Sequence, residues 1–279
     1  MFYSSENLGA TLAFLIPSIA IIAIVCICLR IYFLPKHKQN SWIKKIPIIV
    51  IASVLIVLEI AKIVYTLNNV YIFFQTLDDK FIGFYAAPFH ISSIPIYALS
   101  VAAFSKPNSK VEKCGYLLSG ISCIVVGFSI YIIPQSIAEM AFSAIQKGDR
   151  LFFTDYHSVI YHIIVAFAAC IILTMLYVDI RKSDGTIDTI SIFVVLGFLL
   201  VYICIICVIA DITGVNFANF LVSDSYLWQG VPIANMFLNV GYWFYSIIGI
   251  LFYWIIMVIA LFVAFLLPSM ISKSTKIKL

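Results

Sequence analysis

The chain has 279 residues, of which 63% are hydrophobic and only 11% charged, with 17 Lys and Arg against 13 Asp and Glu. A soluble domain is about 45–50% apolar and about 25% charged, so this inventory excludes a soluble globular surface. The net charge of +4 is not a nucleic-acid signature, because most of the basic residues sit in short connections between apolar runs.

Those runs have the length that lipid requires, about 20 residues for a hydrocarbon core of about 30 Å. The first, over residues 8–33, is too long for the apolar core of a signal peptide and lacks a basic flank before it, so it reads as a spanning helix. Further spans are expected at 46–70, 81–104, 115–134, 157–177, 190–213 and 240–267. The expected fold is an all-α, polytopic membrane bundle of seven transmembrane helices, with residues 1–279 forming a single integral membrane domain.

Basic residues choose the sides of the membrane. Arg30, Lys36, Lys38, Lys44 and Lys45 fall in the first connection, Lys106, Lys110 and Lys113 in the third, Arg181 and Lys182 in the fifth, and Lys273, Lys276 and Lys278 in the tail. The alternate connections hold only Lys80, Lys147 and Arg150. The N-terminus is therefore expected outside and the C-terminus inside. The connection over 215–239 mixes Asn216, Asn219, Asp224, Trp228, Gly230 and Pro232 with apolar residues, the composition of an interfacial or re-entrant cap.

Ionisable groups inside a span cost about 2.5–3.5 kcal/mol each on insertion scales, so they face a bundle interior and are paired. In the second span Glu59 and Lys62 stand three residues apart on one helical face, with Tyr65 a turn further. The third span carries His90, with Ser93 and Tyr97 at helical spacing and Ser92 to the side. The fifth carries His162, with Asp155 two turns earlier, and the sixth carries Asp211 near its outer end. With the expected orientation, Lys62, His90, His162 and Asp211 lie at mid-depth or in the outer half, and Glu59 near the middle. They form a candidate polar cavity that opens outward.

Plainer readings stand beside this one. Glu59 and Lys62 also suit a buried ion pair that only fixes helix orientation. His157 reads as an interfacial residue and His37 as a solvated one, and the Trp residues read as belt or packing groups. Of the seven Cys, Cys26, Cys28, Cys123, Cys170, Cys204 and Cys207 lie inside apolar runs and Cys114 beside a Lys-rich connection, so neither a zinc site nor an extracellular disulfide framework is expected.

Four segments, in order, carry a family resemblance: E-I-A-K at 59–62, A-P-F-H-I-S-S-I-P at 87–95, Y-H-S-V-I-Y-H at 156–162 and D-I-T-G-V-N-F at 211–217. Together, over about residues 55–255, they resemble the bacterial YwaF-like integral membrane proteins. These in turn are similar to a eukaryotic family of transmembrane phospholipid acyltransferases. The resemblance implies acyl exchange between phospholipid and lysophospholipid, no cofactor, and a bacterial cytoplasmic membrane. It also implies a third-span Cys and a fifth-span His as the working pair. His162 matches the His, but 87–95 holds no Cys and offers Phe89, His90, Ser92 and Ser93 instead.

Two routes then remain for acyl transfer. Ser92 or Ser93 acts as nucleophile with His162 or His90 as base, or His162 acts as base directly on the acceptor hydroxyl. Lys62 or Asn216 would stabilise the oxyanion. The alternative function is a proton-coupled transporter using Glu59, Lys62, His90, His162 and Asp211 as a relay, against which stands the lack of an inverted repeat or a pair of broken helices. A seven-helix receptor is disfavoured: the third span closes in Ala-Phe-Ser-Lys, no extracellular disulfide pair is present, and the seventh span has neither an Asn-Pro turn nor a Lys.

Overall fold

The computed structural model describes residues 16–25, 27, 41–68, 88, 90–132, 153–174, 187–213 and 242–266. Among them the chain is helical, with no strand. In chain order the helices are α1 (Ile16–Val25), α2 (Ser41–Asn68), α3 (Ile94–Phe104), α4 (Lys110–Ile132), α5 (Phe153–Thr174), α6 (Thr189–Thr213) and α7 (Tyr242–Leu261). A 3-10 turn at Ile91–Ser93 precedes α3, and a π turn at Phe262–Leu266 ends α7.

Five of these helices are long and apolar enough to cross a bilayer: Lys45–Asn68, Lys110–Tyr131, Tyr156–Leu173, Thr189–Ala210 and Ser246–Leu266. Their order matches the expected second, fourth, fifth, sixth and seventh spans. Within the expected first and third spans the described helices are shorter, Ile16–Val25 and Ile91–Phe104. The 215–239 connection, with Asn216, lies outside the described residues.

The apolar residues are distributed as lipid requires. On α2, Val50, Val54, Val57, Ile60, Val64 and Leu67 are exposed at helical spacing, and on α6 so are Phe193, Val194, Val201, Ile205, Val208 and Ile212. In water, apolar stripes of this extent would be an aggregation surface; against acyl chains they are at no disadvantage.

Helix α4 is the hub, packed against α3, α5, α6 and α7. Over its spanning window 67% is buried, against 28% for α2 and α6 and 22% for α7. Small residues permit this closeness, since helices in lipid associate through tight backbone approach. A Cβ on Gly115 would lie 2.7 Å from the Ala102 amide nitrogen of α3, and one on Gly127 would press on the Ala166 backbone of α5. Ser119 and Ser122, both fully buried, donate to their own helix at Gly115 O (2.6 Å) and Leu118 O (2.7 Å), so both hydroxyls are satisfied.

One end of the bundle is tied by charge. The Lys45 ammonium, buried in the first turns of α2, meets Glu112 at 3.2 Å on α4 and donates to the Ala103 carbonyl (3.5 Å) and to the Ser105 carbonyl that closes α3. Ser109 caps α4, accepting from the Glu112 amide at 3.1 Å, after a left-handed turn at Asn108 (φ 62). Lys113 reaches Asp188 at 2.9 Å, and Asp188 caps α6 through the Ser191 amide and hydroxyl at 3.3 and 2.8 Å. The starts of α2, α4 and α6 therefore share an end with the close of α3. The Ser18 and Tyr131 hydroxyls, 3.0 Å apart, join the first turn of α1 to the last turn of α4, at the opposite end.

Candidate functional site

Glu59 is 5% exposed on the α2 face that packs against α3 and α5. One carboxylate oxygen accepts from Lys62 on the same helix, as the i,i+3 spacing predicts, and the other lies 3.5 Å from Nε2 of His157 on α5. His157 is itself only 7% exposed. His157 stands at the start of its span, as expected of an interfacial residue, but it is not exposed there: α5 turns it onto α2, a tertiary fact that edge position in the sequence does not reveal. His90 is an electrostatic neighbour of both Lys62 and Glu59, which places three helical elements around one group of charges.

A ladder of rings follows α5. Tyr65 of α2 lies 5.3 Å from Phe153, Phe153 lies 6.1 Å from His157, and His157 stacks on Tyr161 at 5.7 Å with an 18° interplanar angle. The Tyr161 hydroxyl then donates to the Ser92 carbonyl at 2.6 Å. This carries the ladder from the charged group to the start of α3.

That start departs from expectation. A continuous helix through His90 would set His90, Ser93 and Tyr97 on one face. The backbone at His90 is instead extended (φ −61, ψ 150), Ile91–Ser93 is a 3-10 turn, and α3 begins at Ile94. Pro95 explains the break, since without an N–H it cannot complete a helical bond to residue 91. Non-helical backbone at membrane depth survives only where protein or water satisfies it. Tyrosines do so here: Tyr202 of α6 donates to the His90 carbonyl at 3.3 Å, Tyr161 to that of Ser92, and Tyr97 to that of Pro88 at 2.6 Å. Tyr202 lies 13 residues beyond Thr189, about 20 Å along α6 at 1.5 Å per residue, so this is bundle interior and not rim.

His162 is buried, with Nδ1 2.7 Å from the Ser158 carbonyl one turn earlier on α5. It meets the ring of Tyr161 edge-on at 5.6 Å. Ser93 is buried and Ser92 half-buried, and among the described residues neither hydroxyl hydrogen-bonds to a histidine. Asp211 belongs to α6, with its side chain outside the described set, and Asn216 is outside it altogether. Glu59 and Lys62 are therefore joined on α2, with His90 an electrostatic neighbour of both; His162 stands one residue from the ladder.

The residues that spacing missed are His157, Tyr161 and Tyr202. Tyrosine is too frequent in this chain, at 16 residues, for any one of them to be conspicuous before the fold is known. Among the described residues no group of three His, Cys, Asp or Glu side chains could hold a metal ion, and Cys114, Cys123, Cys170, Cys204 and Cys207 are free thiols. Comparison with family models, curated proteins and solved structures gives no match, so the YwaF-like resemblance rests on its four motifs alone.

Proposed function

We propose that this chain is a seven-span membrane protein with its basic end in the cytoplasm, and that it moves a small polar solute together with protons. The supporting observation is a carboxylate, Glu59, buried between Lys62 and His157 on the α2 face that packs against α3, whose start is an extended His90 and a 3-10 turn at Ile91–Ser93. Buried ionisable groups inside a bundle are the usual apparatus of proton relays, and non-helical backbone at membrane depth is tolerated where it is buried in protein or lines a cavity. A soluble-facing salt bridge would need neither. The test is reconstitution into liposomes with a trapped pH dye, followed by a panel of carboxylates, amines and sugars under an imposed pH gradient. A solute-dependent proton flux that falls at least about tenfold in Glu59→Gln is expected, the scale for losing an intramembrane charge. Flux no greater than in protein-free liposomes would sink the reading.

Acyl exchange between phospholipid and lysophospholipid is the second reading, and one observation favours it. With Nδ1–H donating to the Ser158 carbonyl, His162 keeps its lone pair on Nε2, the tautomer a general base needs. With neither the Ser92 nor the Ser93 hydroxyl bonded to a histidine among the described residues, the route would be His162 acting directly on an acceptor hydroxyl. Labelled phospholipid and a lysolipid acceptor, followed by mass spectrometry, test it; equal label transfer by wild type and His162→Ala would exclude it. The motif resemblance supports a bacterial cytoplasmic membrane for either reading.

A further inference from the structure

We propose that Lys106 and Lys110, on the turn that joins α3 to α4, hold the headgroup of a phospholipid with net negative charge, and that its acyl chains lie on the apolar side chains just inside that turn. The proposal is independent of both functional readings above, because the turn belongs to the charge-tied end of the bundle. Glu59 lies 14 residues beyond Lys45, about 21 Å along α2. Gly127, which α5 meets at Ala166 one turn from His162, lies 17 residues beyond Lys110, about 25 Å along α4.

This end carries more positive charge than its own acids neutralise. Among the described side chains it gathers four lysines, Lys45, Lys106, Lys110 and Lys113, against two acids, Glu112 and Asp188. Both acids are taken, Glu112 by Lys45 and Asp188 by Lys113. Lys106 and Lys110 are exposed, and neither ammonium has a hydrogen bond or an ion pair. The turn that carries them is itself fixed: the Ser109 amide donates to the Lys106 carbonyl at 3.2 Å, and the Asn108 amide donates to the Glu112 carboxylate. Two cations are thus presented on a set frame, and the anion that meets them comes from outside the chain.

Depth decides what that anion is. The spanning segments Lys45–Asn68, Lys110–Tyr131 and Thr189–Ala210 all begin at this end, so Lys110 marks the edge of the hydrocarbon and Lys106 lies in the connection beyond it. Immediately inside that edge Ile46, Phe104, Val111 and Ile190 are exposed. Free ammonium groups at the rim above apolar side chains match a lipid that brings negative charge to the headgroup level and chains below it. A zwitterionic lipid carries its own ammonium to the rim and leaves the two lysines without a net counter-charge. A free phosphate makes no use of the apolar belt.

Native mass spectrometry of the full chain in neutral detergent, titrated with phosphatidylglycerol or with phosphatidylcholine of the same acyl chains, tests the site. Phosphatidylglycerol should bind about 25-fold tighter, the product of about fivefold for each lysine at an anionic surface. Lys106→Gln and Lys110→Gln should each weaken it about fivefold, and the double variant should bring it to the level of phosphatidylcholine, whose own affinity stays constant. Replacing both residues by Arg keeps the charge and should keep the preference, which separates loss of charge from loss of fold. Lys147→Gln removes one positive charge from a different connection and should change nothing. The proposal is overturned if wild type binds the two lipids equally, if the double Gln variant retains the preference, if the double Arg variant loses it, or if Lys147→Gln weakens binding as much as Lys106→Gln. Inorganic phosphate at the same concentration should not displace phosphatidylglycerol; displacement would show a site for the free anion and overturn the assignment to lipid.

Discussion

Lys45 is fully buried because the first turns of α2 pack beneath the turn that joins α3 to α4. An unpaired ammonium there would carry a desolvation penalty of several kcal/mol, which Glu112 and the two carbonyls at the close of α3 offset. Glu112→Leu alone should therefore cost about 3 kcal/mol, whereas adding Lys45→Met should restore most of that loss by removing the stranded charge. Denaturation of both variants in mild detergent measures this, and a double variant as unstable as the sum of its singles would refute it. Asp188, at the same end, behaves differently because it is titratable in an accessible range. Hydrogen bonds from Lys113 and Ser191 pull its carboxyl down to about 2. A depressed native pKa contributes stability above the unfolded value of about 3.9, and that contribution is lost as pH falls toward 2. Asp188→Ala should lower stability by about 1 kcal/mol at pH 7, as loss of an N-cap does, and the gap to wild type should narrow as melting is repeated from pH 4 down to pH 2. At this scale the sequence was only partly legible. The Glu59–Lys62 contact follows from spacing on one helix, but Lys45–Glu112 and Glu59–His157 join different helices, and no periodicity encodes that.

Among the helices, α4 depends most on what is missing from its side chains. Gly115 and Gly127 meet the backbones of α3 and α5, while Gly197 on α6 has nothing within 4 Å of an added Cβ. Gly127→Ala should push α4 from α5 and cost about 1–3 kcal/mol, the usual penalty for overpacking. Gly197→Ala should be neutral or stabilising by up to about 1 kcal/mol, because alanine is the better helix former. Thermal melts of the two variants side by side settle the comparison, and equal losses would contradict it. The existence of the long helices was legible because apolar length is a one-dimensional property. The break before α3 was not, although Pro95 was visible: proline is tolerated in the first turn of a helix and also ends the one before it, and hydropathy alone does not choose between these. Tyr161 and Tyr202, which make the break tolerable, come from helices about 70 and 110 residues further along the chain.

For the whole molecule, the contacts at the two ends constrain how many times the chain crosses. Lys45 touches both Ser105 and Glu112, so the start of α2 and the start of α4 lie at one end. Helix α2 leads away from that end, and the chain must come back before α4 begins. Ile91–Phe104 makes the last part of that return, 14 residues and about 20 Å of rise, with residues 69–87 outside the described set. The Ser18–Tyr131 contact does the same for α1, since it sets the beginning of α1 at the end where α4 finishes. If both short helices are crossings, then reporters inserted at residues 40, 108 and 184 must all face one side, and a reporter at 148 the other. With basic residues concentrated in the first, third and fifth connections, that shared side should be the cytoplasm. Fusions to green fluorescent protein, bright only in the cytoplasm, and to alkaline phosphatase, active only outside it, read this directly. Fluorescence at 40, 108 and 184 with phosphatase activity at 148 is the expected pattern. If 40 and 108 report opposite sides, α3 does not return the chain across the bilayer and six crossings are the ceiling for the described helices; if all four signals invert together, these crossings stand and the charge bias has been overridden.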